Sequence, residues 1–212
     1  MMRDDVVALI KQVCGYRKTG DNDIVNFMDL VQQQLERGPT YPWFLLSERA
    51  QITCSVGDER IPLPSDFLAE DEDDTLWLEV TTGDATSQTP LAKDEADLLR
   101  DKYRNSSGQP VAYAFSGDYF RLFPIPDVAY KIWMQYYQKA TSLLTGNIEN
   151  RWLKYAHLVI MGEAGFLYAA SLRDQNAMTI FTQMKQSARL VLETENEAKK
   201  HSNRRYQVGG PH

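Results

Sequence analysis

Apolar residues recur at helical spacing from Asp4 to about Cys14, where Val6, Val7, Leu9, Ile10 and Val13 share a stripe and Gly15 stands at a C-cap position. A second stripe of Ile24, Phe27, Met28, Val31 and Leu35 follows Asp21-Asn22-Asp23, whose side chains can accept bonds from first-turn amides. Gly38-Pro39 stops it, because proline disfavours helical backbone in the residue before it. The two segments predict a helical hairpin. After the aromatic cluster Tyr41-Pro42-Trp43-Phe44-Leu45-Leu46 the pattern becomes alternating. Ala50, Ile52, Cys54 and Val56 take turns with polar neighbours, Gly57-Asp58 offers a turn, and Ile61 and Leu63 alternate on the return, predicting a β-hairpin. Pro62 and Pro64 keep its second strand short or at an edge.

Further on, Leu76 to Thr81 reads as a strand and the polar stretch Gly83 to Pro90 as a loop. Leu91 to Tyr103 predicts a short helix, with Asp94 as its N-cap and Ala96, Leu98, Leu99 and Tyr103 on its buried side. Val111–Phe115 and Tyr119–Phe123, joined by Ser116-Gly117-Asp118, predict a second hairpin; Tyr130 to Gln138 predicts one more strand. From Asn150 to Lys199 the helical period returns, interrupted around Arg173-Asp174-Gln175. The small residues Gly162, Ala164, Gly165, Ala169 and Ala170 permit a close antiparallel pair. Beyond Lys199 the pattern predicts an extended tail. The expected fold class is α+β, a helical core with an inserted antiparallel β region and an extended C-terminal arm. Its expected divisions are 1–46, a helical hairpin; 47–140, the β-rich insertion; 141–199, the helix pair completing the core; and 200–212, the arm.

Charge changes this picture locally. The 212 residues carry 29 acidic and 23 basic side chains, a net charge of -6, which argues against a dedicated nucleic-acid binder with a basic footprint. The acidity gathers at Glu70, Asp71, Glu72, Asp73 and Asp74, a solvated loop or a lumen or rim segment. Calcium is the weaker alternative, because the loop lacks the alternating ligand spacing and interior glycine of an EF-hand. Lys199 to His212 reverse the sign with Lys199, Lys200, Arg204 and Arg205 and no acid. That tail reads either as a solubilising terminus or as a basic arm, ending in Tyr206 and Val208, that folds onto a partner. Cys14 and Cys54 form no CxxC pair, the three histidines sit in separate contexts without a triad, and Gly162-Glu163-Ala164-Gly165 lacks a phosphate-loop pattern, so no cofactor, metal or catalytic site is expected. The 11 Tyr, 8 Phe and 4 Trp point to a multi-subunit protein, since aromatics are enriched at interfaces. No apolar run is long enough for a membrane span and the N-terminus lacks a signal-peptide core, which disfavours secretion and membrane insertion, while the isolated cysteines read as reduced thiols that fit a cytosolic site of synthesis.

Several blocks in this order resemble tailed-bacteriophage head-to-tail adaptor (connector) proteins: the helical hairpin, Tyr41–Leu46, Ile61-Pro62-Leu63-Pro64-Ser65-Asp66-Phe67, Gly108–Tyr113, Phe120–Asp127 with Tyr136-Tyr137, and the C-terminal helix pair. The resemblance spans nearly the whole chain. It implies a structural virion protein of the neck, assembled in the host cytoplasm, that forms a homo-oligomeric ring, commonly twelvefold. Its implied partners are the portal protein and the tail tube or nozzle protein, with genomic DNA passing through the lumen during ejection. The implied portal-binding arm covers about His201 to His212, including Arg204, Arg205, Tyr206 and Val208, and the implied β region about Ala50 to Gln138. No catalytic motif accompanies the resemblance. A tail completion factor, a connector stopper and a metal-dependent hydrolase using Glu70 to Asp74 are the alternatives.

Overall fold

The computed structural model describes residues 1–15, 20–71, 74–82, 85–104 and 106–207, with side chains described as far as Lys199. In chain order the elements are α1 (Arg3–Val13), α2 (Asp21–Glu36), β1 (Ala50–Cys54), β2 (Arg60–Pro62), β3 (Phe67–Glu70), β4 (Leu76–Thr82), β5 (Ala85–Pro90) and β6 (Ala92–Lys93). There follow α3 (Ala96–Lys102), β7 (Ser107–Gly108), β8 (Ala112–Phe115), β9 (Tyr119–Phe123), β10 (Ile125–Pro126), β11 (Tyr130–Met134), β12 (Tyr136–Gln138), α4 (Arg151–Tyr155), α5 (His157–Ser171) and α6 (Gln175–Gln207). The class is α+β, with mostly antiparallel sheets. The chain forms two compact units, one of Met1–Leu45 with Lys139–His212 and one of Leu46–Gln138.

In the helical unit, α1 and α2 carry the expected stripes: Val6, Val7 and Ile10 are buried on the first, and Ile24, Met28 and Val31 on the second. Gly15 takes φ +76 just after the Cys14 cap, the left-handed conformation that suits glycine at a helix end. Three polar residues of α2 are also buried, Asp29, Gln32 and Glu36, and all are bonded to the segment by which the chain re-enters this unit. Asp29 Oδ1 accepts from the Ser142 hydroxyl at 2.6 Å and the Leu143 amide at 3.1 Å. The Gln32 amide group donates to the Ala140 carbonyl at 3.0 Å, while its Oε1 accepts from Asn150 at 2.7 Å. Glu36 Oε1 accepts from the Ala140 amide and from Trp152 Nε1, at 3.1 and 3.0 Å. Asn150 in turn caps α4 by accepting from the Leu153 amide. Paired this way, polar groups that would otherwise be costly to bury fix where the returning chain docks on α2.

The β unit holds two four-stranded sheets, ordered β1-β11-β4-β5 and β2-β9-β8-β6. Two short pairings, β12–β3 and β10–β7, complete its strands. Alternate residues of the first sheet, Cys54, Leu76, Leu78, Ile132 and Met134, join Ile61, Tyr113, Phe120 and Leu122 of the second in one core. On the other face of the first sheet, Glu79 accepts from Gln51 (3.1 Å), Lys131 (2.9 Å) and Trp133 (2.8 Å), and the Arg49 guanidinium lies 3.8 Å above the Trp77 ring. The Lys131 bond, followed by the Trp133 bond, holds the Glu79 carboxyl below its ordinary value of 4.5. A depressed carboxyl contributes stability that is present above its unfolded value and lost as pH falls through the folded one. Glu79→Gln is therefore expected to flatten the acid side of the melting-temperature curve below about pH 4.5; an unchanged curve would count against this hub.

Several expectations are corrected. The hairpin over 50–63 does not form: β1 pairs with β11 and β2 with β9, in different sheets, because alternation specifies a face and leaves the neighbouring strand open. The stretch ending at Pro90 is a strand from Ala85, exposed at 86–90 on both faces and hence without apolar period; Gly83 lies outside the described residues. The helix expected from Leu91 begins at Ala96 with Glu95 as its N-cap, since Ala92 and Lys93 are paired with Ala112 and Tyr113. The single strand over 130–138 is two, β11 and β12, in separate sheets. The extended arm from 200 is helical to Gln207: no glycine or proline interrupts residues 199–207, and the first such residues are Gly209, Gly210 and Pro211. The β8–β9 hairpin forms as expected, its turn closed by the Ser116 amide on the Tyr119 carbonyl at 2.9 Å with Gly117 at φ +73.

Candidate functional site

The C-terminal helices carry an open apolar surface in the helical unit. Their approach is set by two glycines of α5: a Cβ at Gly162 would stand 2.9 Å from the Lys185 backbone nitrogen, and one at Gly165 would stand 2.4 Å from the Phe181 ring. Residue numbers rise along α5 as they fall along α6 at these contacts, so the pair is antiparallel, as the small residues predict. Glu163, between the glycines, accepts from Arg189 at 2.6 Å and Lys185 at 3.4 Å, which fixes the register of the two helices. The break at Ala156, φ -139 and ψ 37, separates α4 from α5 and turns Tyr155 and Leu158 outward.

Beside that break lies a groove of about 240 Å³, lined by Tyr155, Leu158, Met184, Ala188 and Val191, with His157 and Glu195 among its polar neighbours. Leu158 is 44% exposed and Val191 56%, values that leave the groove open on its outer side. Burial, with the N-terminal ammonium a smaller cause, pushes the His157 imidazole below its ordinary 6.5, so it is neutral at physiological pH and adds no charge to the groove. Trp43 and Phe44 pack on Tyr155 at 5.0 and 5.4 Å between ring centroids, which anchors one wall. Residues of this groove belong to the apolar helical stripe in the sequence; periodicity alone does not separate a stripe that meets a core from one that stays open. A second hollow of about 270 Å³ is lined by Leu35, Pro39, Trp152, Glu163, Arg189 and Asn196 among others and is more polar.

The acidic segment belongs to the β unit. Glu70 ends β3 with its Oε2 2.6 Å from Lys93 Nζ, so one of the five charges is compensated within the fold. The Asp71 amide is 3.1 Å from the Thr75 hydroxyl, which in turn donates to the Asp71 carbonyl. Asp71 and Asp74 share a small hollow with Glu70, Lys93 and Tyr113, whose phenol is pushed up to about 12, mainly by burial. Glu72 and Asp73 lie outside the described residues. Among the described residues no group of three or more His, Cys, Asp or Glu is arranged to hold a metal, and no helix is long and apolar enough to cross a membrane. Arg204, Arg205 and Tyr206 fall on the last turns of α6, and Val208 lies outside the described residues.

Comparison with protein families decides what these surfaces belong to. The family model described as SU10 adaptor protein matches residues 4–208. The chain belongs to the SU10 adaptor protein family. A search of curated proteins returns no match. Membership makes this a phage adaptor protein, and an adaptor at the virion neck works through surfaces that meet portal and tail proteins. α6, one of the two helices of the pair beside the apolar groove, has 33 residues and runs about 50 Å.

Proposed function

We propose that this chain is a ring-forming head-to-tail adaptor, attached to the portal by the end of α6 and offering the tail a docking platform around a DNA channel. The family match over 4–208 carries this reading. Supporting it, the basic residues Arg204 and Arg205 with Tyr206 lie on a helix that extends beyond the groove, and Val208 follows them in sequence. In this role Arg204, Arg205, Tyr206 and Val208 form the portal-binding segment, the first three of them delivered on a helix. A helix presents a fixed stripe every three or four residues, so less ordering entropy is lost on docking than with an unstructured tail.

The segment Glu70–Asp74 is assigned to the lumen or its rim. A weakly repelling wall lets a polyanion slide, whereas a basic wall would hold phosphates in a salt-dependent way. Lys93 beside Glu70 moderates the field there by one charge. The ring, twelvefold by resemblance, closes through heterologous contacts between identical subunits. Its role is structural, without catalysis, and subunits made in the host cytoplasm join the portal there.

Truncation after Lys200 is expected to leave the melting temperature within about 2 °C of the full chain, because the removed residues follow the last described core contacts. The same truncation is expected to abolish co-sedimentation with the cognate portal. Undiminished co-sedimentation would place the portal-binding surface elsewhere.

A further inference from the structure

The two four-stranded sheets of the β unit treat their edges differently. In the sheet β2-β9-β8-β6 the outer strands are short and protected, Arg60-Ile61-Pro62 and Ala92-Lys93. In the sheet β1-β11-β4-β5 they have five and six residues, Ala50-Gln51-Ile52-Thr53-Cys54 and Ala85-Thr86-Ser87-Gln88-Thr89-Pro90, without one charged side chain. Uncharged, exposed edges of this length invite pairing with another chain, and soluble proteins normally blunt them.

Direction and register specify which strand fits. The Leu91 amide donates to the Leu76 carbonyl at 2.9 Å, so by antiparallel alternation Trp77–Pro90, Glu79–Gln88 and Thr81–Thr86 are the non-bonded pairs. The amides of Thr86 and Gln88 therefore point away from β4, and Pro90, which has no amide hydrogen, occupies the third outward position. All three pairings within this sheet are antiparallel, so β1 and β5 run in opposite directions. A second copy related by rotation about an axis along the strands, without inversion, brings its β1 beside β5 antiparallel. The step repeats from copy to copy and consumes both edges, whereas a two-fold pairing of β5 with β5 would leave each β1 bare.

We infer that β5 of one subunit pairs with β1 of its neighbour, joining the sheets of the ring into one continuous antiparallel belt. The inference rests on the ring reading above, and the test separates the two. In full-length protein assembled on the portal, hydrogen exchange at the Thr86 and Gln88 amides is expected to slow at least about tenfold relative to the free subunit, with Ser87 and Thr89 protected in both. Thr86→Pro removes one outward donor that the subunit itself does not use, and is expected to keep the monomer's melting temperature while weakening assembly about tenfold. A wild-type ring with unprotected Thr86 and Gln88, or an unimpaired Thr86→Pro ring, overturns the edge pairing and leaves the ring standing. Assembly that stops at dimers, or protection that arises only when tail protein is added, also overturns it. A wild-type chain that forms no ring overturns both readings.

Discussion

Replacing Glu36 with alanine is expected to destabilise the protein by about 3 kcal/mol in urea unfolding followed by tryptophan fluorescence, while Glu36→Gln stays within about 1 kcal/mol of wild type. The difference isolates one oxygen. Glu36 Oε1 is the shared acceptor for Trp152 Nε1, the Ala140 amide and the Gln32 side-chain amide, at 3.0 to 3.1 Å. Alanine leaves the Trp152 and Ala140 donors without this partner in a site where Trp152 is 1% exposed, and an unmet buried donor costs about 1–3 kcal/mol. Glutamine keeps the acceptor and removes a charge that is expensive to bury. Burial raises the Glu36 carboxyl above 4.5 in spite of these bonds and of the Lys139 charge. An acid with a raised folded value contributes stability that is fully present below its unfolded value and lost as pH climbs through the folded one. The advantage of Glu36→Gln over wild type is therefore expected to grow as pH rises from about 4.5 and then level off. A difference that is flat with pH would contradict a charged, buried Glu36.

Gly165→Leu is expected to cost about 3 kcal/mol, the upper end for overpacking a well-filled core, even though leucine has the better helix propensity. Phe181 is fully buried where the new side chain would enter, with ring atoms already 2.4 to 2.6 Å from the position of a Cβ, so the helices must separate or the ring must leave its place. Because Lys185 and Arg189 reach Glu163 from the same face of α6, separation also weakens that ion pairing. The same substitution at Gly15, where a Cβ would meet nothing within 4 Å but φ is +76, is expected to cost less, through backbone conformation alone. Comparable urea midpoints for the two variants would show that α5 and α6 are not held at glycine distance.

Where structure followed from neighbours along the chain, it was legible. The stripes of α1 and α2, the stop at Gly38-Pro39 and the turn at Gly117 each depend on residues within a few positions of one another, and the close approach at Gly162 and Gly165, although made with Lys185 and Phe181 on another helix, is marked by small residues clustered along α5. The partner of β1 depends on β11, far along the chain, and alternation at Ile52 and Cys54 records only which face is buried. β5 was hidden for the opposite reason: Thr86 to Pro90 are exposed on both faces, so there is no face to record. The aromatic count does not say which rings stay inside the chain and which reach its surface. Phe120, Phe181 and Trp152 are fully buried within the chain, Phe67, Phe115 and Tyr113 pack on Phe120, and Tyr136 packs on Phe67, whereas Tyr155 and Phe115 are partly exposed. The open groove joins the aromatic Tyr155 to the aliphatic Leu158 and Val191, and a helical period alone does not separate a face that meets a core from one that stays open. The polar clasp at Asp29, Gln32 and Glu36 was equally hidden, since buried polar residues on an amphipathic helix look like its solvent face until their partners at 140–152 are in place.

Electron microscopy of the purified protein mixed with its cognate portal tests the central claim most directly. The expected result is a closed ring of this chain, seated coaxially on the portal with the end of α6 against it and an open channel through both. Portal particles without added density, with the chain remaining monomeric in solution, would contradict it.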